Sequence, residues 1–443
     1  MFIFVQRQTK TNTNRKADFL QEMETYAKIL MIAVPIFFGL VLLEKLYGYF
    51  IRKDKPRFFD LVTSMSSGVT NSVKDVLQLS VSIMSYGWLV DHVAIYKIEN
   101  SILTYVVAFM ALDFSGYWVH RLSHSINFFW NKHAIHHSSE EFDLACALRQ
   151  SISSFVSIFT FFLLPAALLG VPSQVIAVVA PIQFFAQFWY HTVYIKKMGF
   201  LEHILVTPSH HRVHHAVNKV YMDKNLAQIF IFWDKLFGTF QEELEEEPCV
   251  YGISRPAATW NPIKINFQHL GVLCMDAMRA PKLIDKLTIW FKPTGWRPEG
   301  FEEKYPLPKI TDPYTYQKYQ TKEDTASKIW VVGQFLFTIF IMLVLYGNIG
   351  SLNFGQMLGI GVFIYAQVYA YSEFMDANKN WFWMEIIKNT LALGLLFSPV
   401  LDSLFAGNSF LKMACVSCIL VLTIASFVLK DSRTNAKSVL ANA

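Results

Sequence analysis

Charged residues are scarce in this 443-residue chain, and their scarcity excludes an ordinary soluble protein. Asp, Glu, Lys and Arg make up 16% of the residues, whereas a soluble domain has about 25%. Hydrophobic residues make up 53%, and the mean hydropathy is +0.31. The composition therefore indicates a membrane protein. The net charge of +5 is small for this length and no long basic block is present, so we expect no nucleic-acid partner.

Cysteine is also scarce, which excludes a disulfide framework. The five cysteines are Cys146, Cys249, Cys274, Cys415 and Cys418. The last two form the only close pair, "CVSC", which lies in an apolar run, and no second CxxC is present to complete a zinc site. We therefore expect Cys415 and Cys418 to lie on a helix and to have a packing role rather than a redox or zinc role.

Long apolar runs are abundant, and a membrane-crossing helix needs about 20 mostly apolar residues. Nine runs are candidates: 26–47, 76–95, 101–119, 152–170, 173–190, 328–346, 354–371, 380–398 and 407–429. A polar stretch at 191–327 separates the first five from the last four, and we expect it in water or at the lipid headgroups. The predicted fold is an all-α polytopic membrane protein with about nine transmembrane helices.

The number of crossings predicts which segments share a membrane face. If each run crosses once, then 120–150, 191–327 and 430–443 lie on one side. These segments contain Arg121, Lys132, Arg149, Lys196, Lys197, Arg212, Lys430 and Arg433, and the opposite loops contain few basic residues. Because positive residues concentrate in cytoplasmic loops, we expect the shared face to be cytosolic.

Histidine is concentrated on that predicted face. Ten of the 13 histidines lie in "HRLSH" (His120, His124), "HAIHH" (His133, His136, His137), "QFWYHT" (His191) and "HHRVHH" (His210, His211, His214, His215). Residues three and four apart share one face of a helix, so these motifs can present imidazoles together. So many buried imidazoles need a partner, and neutral imidazole suits zinc, copper, iron and nickel. Eight or more ligands exceed what one ion can use, so two ions are expected. We interpret the isolated His92, His203 and His269 as hydrogen-bonded residues without a metal.

These motifs resemble the membrane-bound di-iron superfamily of fatty acid hydroxylases and sterol desaturases. Within it, five segments resemble the alkylglycerol monooxygenases: "DFSGYWVHR", "HHSSEEFDLACALRQS", "QFWYHT", "TPSHHRVHH" and "DKNLAQIFIFWDKLFGTF". The specific matches cover about 113–240. The resemblance divides the chain into a polar N-terminal segment (1–25), a hydroxylase-like catalytic region with the cytosolic loop (26–327) and a C-terminal four-helix transmembrane extension (328–443).

The resemblance also implies a metal site and a reaction. The implied ligands of two iron ions are His120, His124, His133, His136, His137, His211, His214 and His215. His191 is expected as a ninth ligand, with a helix-capping role as the alternative. His210 is expected to support the ligand histidines without binding a metal ion itself. The implied reaction uses O₂ and tetrahydrobiopterin to hydroxylate the alkyl carbon next to the ether oxygen of an ether lipid. The implied location is the endoplasmic reticulum membrane.

Other functions stay open from the sequence. A sterol or fatty acyl hydroxylase or desaturase that uses cytochrome b5 would carry the same motifs. A transporter is a distant alternative, because transporters bind their substrates near the bilayer midplane and these motifs lie at helix ends. A pseudoenzyme is the third alternative, because Ser125 and Val193 stand where the resemblance leads us to expect acidic residues.

Three carboxylates are candidates for supporting the histidines. Asp113 lies in an apolar run, where a charge is costly, so we expect it to face a cavity or orient a histidine, or else to pair with Tyr117 or Arg121. Glu140 and Glu141 follow the second motif, either as carboxylates behind the ligands or as an ordinary charged turn. Such carboxylates matter because they orient metal-binding histidines.

Overall fold

The structure is a computed structural model that describes residues 12–79, 81–82, 85–96, 98–99, 101–154, 156–157, 159–398, 401–405 and 409–434. Seven helices come first in the chain: α1 (Asn12–Tyr47), α2 (Phe58–Val76), α3 (Tyr86–Val93), α4 (Ile102–Ser125), α5 (Asn127–His137), α6 (Leu164–Leu168) and α7 (Ser173–Phe185). Ten follow: α8 (Pro208–His214), α9 (Phe232–Phe237), α10 (Pro262–Arg279), α11 (Leu283–Thr288), α12 (Phe301–Lys304), α13 (Thr325–Gly347), α14 (Phe354–Met375), α15 (Trp381–Leu396), α16 (Asp402–Phe405) and α17 (Ser409–Thr434).

Short elements complete the fold. Strands β1 (Val81–Ser82) and β2 (Val156–Ser157) pair in parallel, with Val81 opposite Val156. A π-helical turn, Gly48–Arg52, extends α1. Five 3₁₀ turns lie at Cys146–Leu148, Phe159–Leu163, Gly199–His203, Ile289–Phe291 and Ile349–Ser351. The regular secondary structure of the described residues is thus helical apart from one pair of two-residue strands, and turns and irregular segments connect these elements.

The number of long apolar helices is smaller than predicted. Among the described residues, four helices are long and apolar enough to cross a membrane: Met23–Arg52, Ile102–Ser125, Thr325–Gly347 and Ser409–Asp431. They match four of the nine predicted runs. The predicted runs 354–371 and 380–398 form α14 and the 16-residue α15, and 173–190 forms the 13-residue α7. The prediction of a multi-pass helical membrane protein is supported, but nine spans are not.

Two predicted spans are wrong as continuous helices. Residues 76–95 are divided between the end of α2, strand β1 and α3, and Ser85 starts α3 by accepting a hydrogen bond from the Trp88 N–H. Residues 152–170 contain strand β2, a 3₁₀ turn and the short α6, which has Pro165 in its first turn. Hydrophobicity identified both runs, but an apolar composition alone does not distinguish a helix from a strand.

The largest apolar core joins the first and last parts of the chain. It packs Phe59 and Val69 of α2 against Trp330 of α13, Phe374 of α14 and Trp381 of α15. This core crosses the boundary expected at 327/328, and the division into 1–25, 26–327 and 328–443 stays a prediction. A smaller core packs α3 and α4 against α6 and α7. Helix α4, which carries the first histidine motif, is part of this smaller core, and α5, which carries the second, packs against α4 and α10.

Candidate metal centre

Four segments bring the histidines together. His120 and His124 lie in the last two turns of α4, and α5 carries the second motif on its last turns. His191 follows α7, and α8 carries the third motif. Helix α8 begins at a capping box, in which Thr207 and His210 satisfy each other's backbone N–H groups, with Pro208 at its first turn. These local signals fix where the short helix starts and which rings it turns inward.

The nine predicted ligands form two groups. In each group the candidate ligand atoms all lie within 4.8 Å of one another. The first group is His120, His124, His133, His137 and His214, and the second is His136, His191, His211 and His215. Six of the nine rings are buried, and the other three are partly buried. Each group therefore draws on several of the motifs, so neither could be formed by a single helix.

Distances between ring nitrogens within the groups suit a shared ion. In the first group, His133 Nε2 lies 2.9 Å from His120 Nε2 and 3.0 Å from His137 Nε2. In the second, His211 Nε2 lies 2.8 Å from His191 Nε2 and 3.0 Å from His215 Nε2. Imidazole nitrogens bind metals at about 2.0–2.1 Å, so two of them at right angles around one ion would lie about 2.8–3.0 Å apart.

Hydrogen bonds on the outer ring nitrogens indicate which nitrogen faces inward. His120 Nδ1 lies 2.7 Å from the Leu226 carbonyl oxygen, and His214 Nδ1 lies 3.0 Å from that of Lys224. A carbonyl only accepts, so each Nδ1 carries the proton and each neutral ring keeps its lone pair on Nε2. Among the described residues, the buried Nε2 atoms of His214 and His124 have no hydrogen-bond partner. Unpartnered buried nitrogens beside close Nε2 pairs are what a metal site requires.

Burial keeps at least five of these rings uncharged. It lowers the pKa of His136 to about 3 and the pKa of His133, His137, His211 and His215 well below the usual value. Desolvation disfavours the charged imidazolium, and the neighbouring histidines add to the effect. Neutral imidazole is the form that binds a metal.

One loop orients three rings of the first group, and sequence reasoning did not identify it. Asp223 Oδ1 lies 3.1 Å from His124 Nδ1, while the carbonyls of Lys224 and Leu226 accept from His214 and His120. The loop turns sharply, with φ of 57° at Asp223 and 53° at Asn225. Asp and Asn adopt positive φ more readily than most residues, so "DKN" was the available signal. Asp223 provides a carboxylate behind the grouped histidines although Ser125 and Val193 are not acidic.

Asp113 supports this loop region. Its hydrogen bonds go to residues other than Tyr117 and Arg121, the two partners considered from the sequence. Its carboxylate accepts hydrogen bonds from the Ile229 and Phe230 backbone N–H groups at 2.9 and 3.2 Å and from Trp233 Nε1 at 2.9 Å. These hydrogen bonds therefore hold residues 229–233, which follow the ring-orienting loop, against the middle of α4. Asp113 is linked to His120 through that segment, because the Leu226 carbonyl accepts from His120.

The acidic pair after the second motif also points away from the histidines. Glu140 accepts from Tyr316 Oη at 2.6 Å and from the Tyr319 N–H at 2.8 Å, and Glu141 pairs with Lys318 at 2.7 Å. Both carboxylates bind the chain segment that leads into α13. They hold the second motif against that segment, and a role behind the metal-binding histidines stays a prediction.

The remaining histidines lie outside both groups. His210 Nε2 is 3.2 Å from Glu202, and the ring packs at 5.6 Å from that of Phe240. His92 stacks on Trp88, and His269 Nε2 lies 3.1 Å from the Asn127 carbonyl. His203 is exposed. His210 therefore caps and anchors α8, while its neighbour His211 faces the other rings.

Comparisons with known proteins agree with this geometry. The model of the fatty acid hydroxylase family matches residues 105–239, which include all nine grouped histidines. The human protein named alkylglycerol monooxygenase is 32% identical over 408 residues, covering 90% of this chain and 89% of its own length. The chain belongs to the alkylglycerol monooxygenase family.

Other members of the alkylglycerol monooxygenase family are similar over shorter alignments. The Danio rerio member is 37% identical over 279 residues, or 62% of this chain and 61% of its own length. The Xenopus tropicalis member is 36% identical over 285 residues, or 63% of this chain and 62% of its own length. No solved structure matches the chain.

Proposed function

We propose that this protein is a membrane monooxygenase that cleaves the ether bond of alkylglycerol lipids. It hydroxylates the alkyl carbon next to the ether oxygen, and the product releases a fatty aldehyde and a glycerol derivative. Membership of the alkylglycerol monooxygenase family supports the substrate class. The single observation that carries the proposal is the meeting of nine histidines in two groups, because a pair of such sites suits O₂ chemistry on an unreactive C–H bond.

Two iron ions are proposed, one in each histidine group. His120, His124, His133, His137 and His214 would hold the first ion, and His136, His191, His211 and His215 the second. The inward Nε2 lone pairs and the neutral rings fit such ions. Reduced iron in this setting supplies activation of O₂. The carbonyls of Leu226 and Lys224 and the carboxylate of Asp223 keep three rings in the tautomer that can bind.

The reaction needs a reductant, for which tetrahydrobiopterin is proposed. One oxygen atom of O₂ enters the alkyl C–H bond, and the other leaves as water with two electrons and two protons from the pterin. The hydroxylated carbon then carries both a hydroxyl group and the ether oxygen, which is a hemiacetal. When its C–O bond to glycerol breaks, the hydroxyl proton leaves, the glycerol oxygen gains a proton and the alkyl carbon becomes an aldehyde.

The place of the site in the fold fits a lipid substrate. Helix α4 is one of the four helices able to cross a membrane, and His120 and His124 lie at its C-terminal end. We place this end at the cytosolic face of the endoplasmic reticulum membrane. An alkyl tail can then approach from the hydrocarbon core, while the polar headgroup and the reductant approach from the cytosol.

Oxygen isotopes test the proposal. Purified, iron-loaded protein is given ¹⁸O₂, tetrahydrobiopterin and a 1-O-alkylglycerol, and the aldehyde is trapped at once by reduction to the alcohol. We expect ¹⁸O in the trapped alcohol and none in glycerol, because oxygen enters on the alkyl side of the ether. Label in glycerol would contradict hydroxylation at the alkyl carbon.

The matched control exchanges the substrate and the donor. The same preparation is given a sterol or a fatty acyl lipid with cytochrome b5. Product from these with none from the alkylglycerol would reject the proposed substrate and support the sterol or acyl alternative. Iron-loaded protein that oxidises neither substrate would support a pseudoenzyme.

A further inference from the structure

An exposed apolar strip lies in the polar segment between the two halves of the chain. Its large side chains are between 41% and 72% exposed. The strip consists of Met275, Met278, Leu283, Ile284, Leu287 and Phe291. Scattered apolar residues on a surface are ordinary, but an apolar set along one short segment marks an interaction surface.

Helix α11 turns this strip outward. Leu283, Leu287 and Phe291 follow one another at intervals of four, so they lie on one side of the helix and the 3₁₀ turn after it. Ile289 is fully buried and anchors the opposite side. Lys286 Nζ donates to the Met278 carbonyl at 3.3 Å, which joins α11 to the end of α10. The segment is thus fixed with its apolar side away from the protein.

Backbone hydrogen bonds place the strip beside the end of a membrane helix. The Asn127 N–H donates to the Lys292 carbonyl at 3.0 Å, and the Thr294 N–H donates to the carbonyl of Ser125, the last residue of α4, at 3.2 Å. Residues 126 and 293 form an antiparallel bridge between these bonds. Since α4 can cross a membrane, its end and the attached Phe291 lie at the same depth, near the membrane surface.

Charge complementarity identifies the surface that the strip fits. Between residues 279 and 292 the chain carries four basic residues and one acidic residue, Asp285. Arg279 and Lys282 are exposed, and Trp290 is partly buried. Basic, aromatic and large apolar residues together are typical of segments that lie in the interface of an anionic lipid leaflet.

We propose that residues 275–291 lie in the plane of the membrane, with the apolar strip in the boundary between headgroups and acyl chains of an anionic leaflet. This inference does not depend on the proposed reaction. The Asn127 side chain donates to the Ile289 carbonyl at 3.0 Å, and the Leu270 N–H donates to Asn131 Oδ1 at 2.9 Å. These bonds would hold α5, with its three histidines, at a fixed depth relative to the headgroups.

Fluorescence quenching in full-length protein tests the proposal. Single accessible cysteines replace Leu287 or, as the matched control, the exposed Glu303 of α12, in a background with Cys249→Ser, Cys274→Ser and Cys418→Ser, which leaves only the buried Cys146 and Cys415. Each carries a polarity-sensitive fluorophore after reconstitution into vesicles of phosphatidylcholine with phosphatidylserine. We expect the label at 287 to be quenched several-fold more by lipids with a nitroxide in the upper acyl chain than by aqueous iodide. The order should be reversed at 303.

Three outcomes would overturn the proposal. Equal iodide quenching at 287 and 303 would place the strip in water. Protection of 287 from both quenchers, or cross-linking of Leu287→Cys between two copies, would show that protein covers it.

A charge variant tests the anionic leaflet separately. With Lys282→Glu and Lys292→Glu, the extra nitroxide quenching seen with phosphatidylserine over pure phosphatidylcholine should disappear. If the extra quenching persists in this variant, the electrostatic part of the proposal is overturned. Both substitutions lie outside the apolar strip, so the comparison between the two vesicle types tests charge alone.

Discussion

His210 and His211 are adjacent in sequence but have different surroundings, and they form a matched pair for testing the metal centre. We expect His211→Ala to abolish turnover and lower the iron content, because His211 Nε2 lies within 3.0 Å of two other rings. His210→Ala should keep both ions and cost about 1 kcal/mol of stability, because the Thr207 N–H loses the His210 side chain as its partner in the capping box. Iron analysis and aldehyde release measure the two effects.

The same logic extends to the other histidines of the two groups. Alanine at His136 or His214 should also abolish activity, since each would hold an ion of a shared centre, whereas alanine at His92 or His269 should leave it largely intact. Full turnover by the His136 or His214 variant would reject the two-ion centre.

Asp223 provides a second test at the scale of one residue. Loss of a carboxylate behind a metal-binding histidine typically lowers metal affinity or activity by about 10–100-fold. We therefore expect Asp223→Asn to lose iron more readily to a chelator, because its amide orients the His124 ring less strongly. Glu303→Gln, also at an exposed acidic residue, is the control. Chelator titrations that superimpose for both variants would show that Asp223 has no positioning role.

The sequence identified the grouped histidines but not what orients them. Side-chain spacing of three and four marks a helix face, so the motifs were recognisable. Asp223 lies 99 positions after His124 and reaches it only through a turn of positive φ. The other two partners are backbone carbonyls, at Lys224 and Leu226, and a carbonyl carries no sequence signal. Such contacts depend on the tertiary fold.

At the scale of elements, the sequence was most successful where a run is long and uniformly apolar. Runs 328–346 and 407–429 became α13 and α17. Run 152–170 did not, because Pro165 has no N–H to continue a helix from the preceding residues. Helix α7 stops at Phe185, and the turns at 186–190 deliver His191 to the second group. The end of α7 therefore lies where the chain has to reach the site.

The four C-terminal helices contain a buried ion pair that gives an element-scale prediction. Lys388 Nζ lies 2.8 Å from Glu385 Oε2 on α15, and Gln334 Nε2 of α13 donates to the other oxygen at 2.7 Å. Lys388→Met leaves the Glu385 charge buried without a cation, which typically costs about 3–5 kcal/mol. We therefore expect the free energy of unfolding of Lys388→Met to be lower than that of the unmodified protein by this amount, as measured by denaturant titration in mild detergent.

Lys322 is the matched control for this buried pair. Its side chain is 59% exposed and lies 3.2 Å from Asp324. Because exposed ion pairs contribute about 0–1 kcal/mol, Lys322→Met should change stability little. Equal stability of the Lys388→Met and Lys322→Met variants would mean that the buried pair does not join these helices.

Considering the whole molecule, one end of the helical bundle gathers several loops. At the end of α17, Arg433 donates to the carbonyls of Phe374, at the end of α14, and Lys322, just before α13. Asp376 accepts from the Trp260 N–H at 2.7 Å, and Tyr319 binds Glu140 after the second histidine motif. The polar segment, the end of α17 and the second motif therefore lie at the same end.

The opposite end is marked by the turn between α13 and α14. Gly350 lies in this turn, close to the Glu24 carboxylate in the first half of α1. Just beyond the other end of α1, Asp54 accepts a hydrogen bond from Tyr194 Oη at 2.8 Å. Tyr194 lies three residues after His191. Helix α1 therefore runs from the α13–α14 turn towards the histidines.

These contacts sharpen a prediction of membrane orientation. A tag after residue 443 and a tag near Glu245 should both be cut by protease added to sealed microsomes, because basic residues at that end favour the cytosol. A tag inserted at Ser351, which is exposed in the α13–α14 turn, should be protected until detergent is added. The Ser351 tag is the matched control, because it marks the opposite end of the helical bundle. Cleavage at Ser351 with protection at Glu245 would place the histidines in the lumen and remove the proposed cytosolic route for the reductant.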